Sequence, residues 1–142
     1  MTQSIGTGRK QQRGVMLLEA LIAILIFSMG ILAMVGMQAT TISTVSDAKY
    51  RADAAFLANQ VIGQMWVDQA NLASYAYTTG TPPAVLANWV TQVQNGLPGV
   101  TNTVNPPQIV IGAGNQITVR VFWQPPQAAT PHSHMAIATI NP

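Results

Sequence analysis

One carboxylate stands inside an apolar run. Glu19 is the only charged residue between Val15 and Met37, and the basic residues Arg9, Lys10 and Arg13 come just before it. An acidic side chain deep in a membrane helix costs on the order of 2.5–3.5 kcal/mol, and less near the interface. A cation at the same depth offsets that cost. Hydrolysis of the Gly14–Val15 peptide bond creates one, the α-ammonium of Val15, four residues from Glu19. A helix N-terminus also has unpaired N–H groups that favour a nearby acid. Within one chain the pair is partly self-satisfied. Between two chains shifted along the helix axis, Glu19 of one meets the Val15 amine of the other, and the pair sets the register of packed helices. The plainer reading places Glu19 close enough to the membrane surface for its side chain to reach water.

Elsewhere the residue types that do chemistry are sparse. The sequence holds four acidic residues, two histidines and no cysteine. Thiol catalysis, thiolate metal sites and disulfides are thereby excluded. Asp47, Asp53 and Asp68 fall in a helical stretch at spacings that build no close carboxylate pair on one face. They read as solvated helix charges. His132 and His134 form an H-x-H pair beside Pro131. In a strand both point the same way and could hold a metal, but they lack a third ligand nearby, and a surface loop is the preferred reading. "GAG" at 112–114 is followed by neither a P-loop lysine nor a dinucleotide-binding pattern. Trp66, Trp89 and Trp123 read as core or subunit-interface residues. The inventory argues against an enzyme, and no cofactor or metal is expected.

The elements that carry Glu19 are set by composition. Hydrophobic residues make up 49% of the 142-residue chain and charged residues 7%. A freely soluble domain carries about a quarter charged residues. Val15–Met37 is 23 residues long; as a helix it spans roughly 35 Å, enough for a hydrocarbon core of about 30 Å with some tilt. Basic residues precede it and none follows until Lys49, which orients the N-terminus to the cytoplasm. A secretory signal has a shorter apolar stretch and a small-x-small cleavage site after it; here the small residue Gly14 lies before the run. Downstream of Gly14, three basic residues (Lys49, Arg51, Arg120) face four acidic ones. The body therefore offers no cluster of cations for phosphate contacts, and nucleic-acid binding has no direct support.

The residues "RGVMLLEALIAILIF" (13–27) resemble the class III signal of type IV pilins and pseudopilins: a basic leader, Gly before the cut, an apolar mature start and Glu at its fifth position. Val15 stands where the family usually has Phe or Met, and Gly36 where major pilins usually have Pro. "SMGILAMVGMQ" (28–38), "NWVTQVQNGLPG" (88–99) and "ITVRVFWQ" (117–124) are similar to PilV-type minor pilins in particular. The resemblance implies a pilin-like α+β fold, a long N-terminal helix packed on a small antiparallel sheet of three to four strands. It implies cleavage between Gly14 and Val15 by a prepilin peptidase and N-methylation of Val15. It further implies partners: other minor pilins, the major pilin, a tip adhesin and inner-membrane lipid.

The remaining sequence agrees with that architecture. No proline interrupts Gln38–Asn71. Ile42, Val45, Ala48, Ala52, Ala55, Ile62 and Met65 recur mostly at helical spacing, and a parallel stripe runs Tyr50, Ala54, Leu57, Val61, Met65. One helix over roughly 15–71 is expected. Five of the seven residues at 40–46 are hydroxylic; they read as a solvated connection at the membrane surface, or as a stretch that loosens on assembly. "SYAYTTGTPP" (74–83) reads as loop. Ala84–Asn95 reads as a short helix stopped by Gly96 and Pro98. Strands are expected at Gln108–Ile111, Gln116–Trp123 and Met135–Ile140, with "GAGN" (112–115) as a hairpin turn and Pro125–His134 as a longer connection.

The expected organisation is a leader (1–14), a transmembrane assembly helix (15–37) and a periplasmic domain (38–142). The expected function is that of a minor pilin in pilus assembly or priming, anchored in the bacterial inner membrane and then carried into the pilus or its tip. Gly30 and Gly36 would permit close helix packing there. The alternatives are a minor pseudopilin of a type II secretion system and a membrane-anchored periplasmic binding or adhesive domain.

Overall fold

A computed structural model describes residues 12–126 and 128–141. The basic residues Arg9 and Lys10 lie outside the described residues. The first element, α1, runs Gln12–Val67 and is 56 residues long. The chain divides into two compact units, Met1–Thr44 and Val45–Pro142. The division falls inside the hydroxylic run.

In the first unit none of the residues from Gly14 to Gln38 is buried. Bulky side chains point outward all around the helix, Leu17, Leu21, Ile24, Phe27 and Leu32 among them. A helix that is apolar on every side needs an apolar solvent. By length and composition this helix can cross a membrane. Four of its hydroxyls bond back to the helix. Ser28 Oγ donates to the Ile24 carbonyl at 2.7 Å. Thr40 and Thr41 both donate to the Met37 carbonyl, at 2.8 and 2.9 Å, and Thr44 donates to the Thr40 carbonyl at 3.0 Å.

In the second unit α1 buries one face only: Ala54, Leu57, Ala58, Val61, Ile62 and Met65. Ala54 and Ala58 let the partner elements approach closely, while Leu57, Val61 and Met65 fill the space between. The stripe that begins Ile42, Val45, Ala48, Ala52 is exposed over those four, half-buried at Ala55, and buried only at Ile62 and Met65. The sequence offers two apolar faces, and the globular unit covers the one through Leu57. The helix ends before the expected Asn71. Asp68 leaves helical geometry (φ −114°, ψ 47°) and a 3-10 segment, Gln69–Tyr75, follows. Asp68 gathers this turn. Its carboxylate accepts from Asn71 Nδ2 at 2.7 Å and from the Tyr75 hydroxyl at 3.1 Å.

The second helix, α2, is Ala87–Gly96, preceded by a 3-10 turn at Ala84–Leu86. Gly96 lies within it, and extended Leu97 (φ −122°) ends it. Trp89, Val90 and Val93 form its buried face. The Trp89 indole N–H donates to the Leu57 carbonyl at 2.9 Å in the core and ties α2 to α1. A left-handed residue is needed three positions beyond Gly96. Gly99 has φ +71°, and a Cβ there would meet the Gln124 carbonyl at 2.9 Å.

Three antiparallel strands follow in the order β1-β2-β3: Gln108–Ile111, Gln116–Trp123 and His132–Thr139. The first two are as expected from the alternation. Gly114 (φ +67°) and Asn115 (φ +55°) turn the chain between them. On β2, Ile117, Val119, Val121 and Trp123 face the core. The third strand starts at His132, earlier than Met135, because its partner β2 runs unbroken to Trp123 and pairs Phe122 with Ser133 and Trp123 with His132. The long N-terminal helix and a three-stranded antiparallel sheet make an α+β arrangement.

Candidate processing and assembly site

Gly14, Val15 and Glu19 lie on one helix, the first two adjacent and Glu19 one turn on. The Gly14–Val15 peptide bond lies within α1. Gly14 is a weak point there, less favourable than Ala in a helix by about 1 kcal/mol. Val15 is 66% exposed and Glu19 is exposed. They stand at i and i+4, on one face and one turn apart. Hydrolysis places the new ammonium at the start of the helix, one turn from the carboxylate.

The two glycines separate. At about 100° per residue, Gly30 falls within about 40° of Glu19 around the helix, and Gly36 about 100° away. Ala23 and Ala33 share the strip with Gly30 and Glu19, and so do the bulkier Ile26 and Met37. The strip in line with the carboxylate therefore mixes small and large residues. At Gly30 and Gly36 an added Cβ would meet nothing within 4 Å, so neither glycine is required by packing inside the chain.

The histidines are in β3, not in a loop. His132 and His134 share the face that looks toward the core, opposite Trp123 and Val121. The His132 ring stacks on Trp123 at 5.7 Å between centroids and 16° between planes. Stacking on Trp123 gives His132 a packing role. No group of three His, Cys, Asp or Glu side chains is poised for a metal among the described residues. Asp47, Asp53 and Asp68 do not converge; Asp68 is spent on the turn after α1. The Tyr75 phenol is pushed up by burial and then by its bond to the Asp68 carboxylate. Burial alone raises Tyr77. An open groove beside β1, lined by Tyr77, Thr79, Thr81, Pro83, Ile109 and Ile111 among others, offers hydroxyls and apolar surface but no charged side chain.

Of the three tryptophans, Trp89 and Trp123 are buried and Trp66 is 45% exposed. Trp123 Nε1 is buried without a hydrogen-bond partner. Comparisons with models of protein families, with curated proteins and with solved structures give no match.

Proposed function

We propose that this chain is a minor pilin, trimmed between Gly14 and Val15 by a prepilin peptidase and built into a type IV pilus or its priming tip by helix packing. The observation that carries the reading is a fully exposed apolar helix, Gly14 to Gln38, with one carboxylate a turn beyond a Gly–Val bond. A plain anchor explains the apolar surface and leaves Glu19 without a purpose. A subunit that leaves the bilayer sideways into a bundle of like helices gives each part a role. The bulky side chains serve first lipid and then neighbours. Ala23, Gly30 and Ala33 lower the surface beside Glu19 between the bulkier Ile26 and Met37, so a neighbour can approach there. Glu19 meets the Val15 amine of an adjoining chain and fixes the offset.

The N-terminus lies in the cytoplasm, where the basic residues hold it, and the globular unit in the periplasm. Val15 is methylated after the cut; methylation keeps the amine basic and its positive charge available. The exposed stripe through Ile42, Val45 and Ala52 extends the packing surface beyond the bilayer. Mass analysis of the membrane-extracted protein tests the reading. A mature chain starting at methyl-Val15 is expected. Retention of residues 1–14 in the working protein contradicts it.

A further inference from the structure

The backbone groups of the sheet can be assigned one by one. Ile109 exchanges both of its hydrogen bonds with Tyr77, at 3.0 and 2.7 Å, on the side away from β2. By the alternation of an antiparallel ladder, Gln108 and Val110 then bond to Arg120 and Thr118. It follows that Ile117, Val119, Val121 and Trp123 turn their N–H and C=O groups toward β3. His132, His134, Ala136 and Ala138 receive them. Ser133, Met135, Ile137 and Thr139 therefore point theirs away from the sheet, and no described backbone group bonds to them. Soluble edges are blunted by lysine, proline, bulges or short length. β3 is eight residues, carries no Lys, Arg, Asp, Glu or Pro, and pairs one-to-one with β2 throughout.

The side chains beside this edge are equally specific. Met135 and Ile137 are 49% and 56% exposed on the face away from the core. Arg120 on β2, paired with Met135, reaches over that side chain. Its guanidinium lies 3.6 Å from Met135 Sδ and 6.0 Å from the centre of the Phe122 ring. These contacts are to a thioether and a ring; neither is a carboxylate. A strand added beyond β3 would lie about 10 Å from β2, two strand spacings away. A glutamate on it, opposite Met135, can meet Arg120 across the methionine. A second copy of β3 brings no carboxylate to that position.

We propose that the open edge of β3 takes an extended, mainly apolar segment of a different polypeptide, added as a fourth strand with an acidic side chain set against Arg120. The hydrogen bonds to Ser133, Met135 and Ile137 supply strand addition, and Arg120 selects the register. The inference does not depend on the membrane segment or on trimming.

The test uses the full chain in detergent micelles and a fluorescein-labelled peptide of sequence Val-Thr-Val-Thr-Glu-Thr-Val-Thr-Val, blocked at both ends. Anisotropy is expected to show saturable binding. N-methylation of its second and third valines removes donors on the pairing edge and should weaken binding roughly tenfold or more. Met135→Pro removes an outward N–H while sparing the bonds to β2, and should do the same. Should that variant melt abnormally, Ser133→Pro and the methylated peptide with unaltered protein carry the test. Arg120→Gln should weaken the Glu peptide about threefold and leave its Gln counterpart unchanged. No saturable binding, or binding indifferent to N-methylation, overturns the proposal. So does self-association of the chain that Met135→Pro abolishes, because the edge then belongs to a second copy.

Discussion

The same helix meets two different surroundings. Up to Gln38 it buries nothing; from Ala54 on it buries one face in six residues, Ala54 to Met65. The contrast is not in helix-forming power, since both stretches lack proline and both are helical throughout. It lies in where the apolar side chains are put. In the first stretch they surround the axis, and in the second they concentrate on one side, with Asp53, Asn59 and Gln64 among the residues elsewhere. A fold therefore forms where one side can be dried, and an anchor or assembly element where every side must be.

This contrast can be broken by substitutions that should act on one region alone. The largest effect is expected for Glu19→Ala. On the minor-pilin reading proposed above, the variant should be inserted and trimmed normally yet enter filaments at least about tenfold less, if the ion pair offsets even part of the burial cost of a carboxylate. The ratio of subunit in sheared filaments to subunit in membranes measures it. Unchanged incorporation removes the ion pair from the account, and the melting of the globular unit should not move. Met65→Ala is the converse. Met65 is fully buried, so the globular unit should lose about 2–5 kcal/mol in urea unfolding while trimming at Gly14 proceeds. Trp89→Phe keeps most of the ring and loses the bond to the Leu57 carbonyl, a loss of about 1 kcal/mol.

A pH titration sharpens the comparison further. The Tyr75 phenol is raised above its ordinary value of 10.0 in the folded chain, so the neutral form is favoured by folding. The stability it contributes is complete below pH 10 and is lost as pH rises through the folded value. Urea midpoints should therefore fall in alkali, and less steeply for Tyr75→Phe. The smallest change is expected for Phe56→Ser. Phe56 is 68% exposed on α1, and its loss should alter unfolding by no more than about 0.5 kcal/mol.

Much of this was legible in the residues. The alternation Ile117, Val119, Val121, Trp123 gives β2 and its buried face directly, and the stripe Tyr50, Ala54, Leu57, Val61, Met65 foreshadows the buried side of α1. Two things escaped. One was the choice between two apolar stripes on α1, because hydrophobicity alone does not say which face has a partner. The other was the start of β3. His132 and Ser133 follow a proline and look like loop, and only the length of β2 and the Trp123 ring recruit them. The placement of Gly14, Val15 and Glu19 on one helix was readable, since it depends only on spacing along it. Gly36 was grouped with Gly30 on residue type, and the helical angle parts them. The open edge of β3 could not be read at all, because an unpaired backbone group leaves no mark in the sequence.

The hydroxyls at Thr40, Thr41 and Thr44 have one consequence for where α1 can meet a membrane surface. Each already has its acceptor inside the helix, so immersing these three strands no donor. The first charged side chains beyond them are Asp47 and Lys49. Over the seven residues 40–46, roughly 10 Å of helix, the threonines themselves do not oppose immersion. Displacement the other way is opposed at the far end, where it would draw Glu19 deeper into hydrocarbon at a cost on the order of 2.5–3.5 kcal/mol.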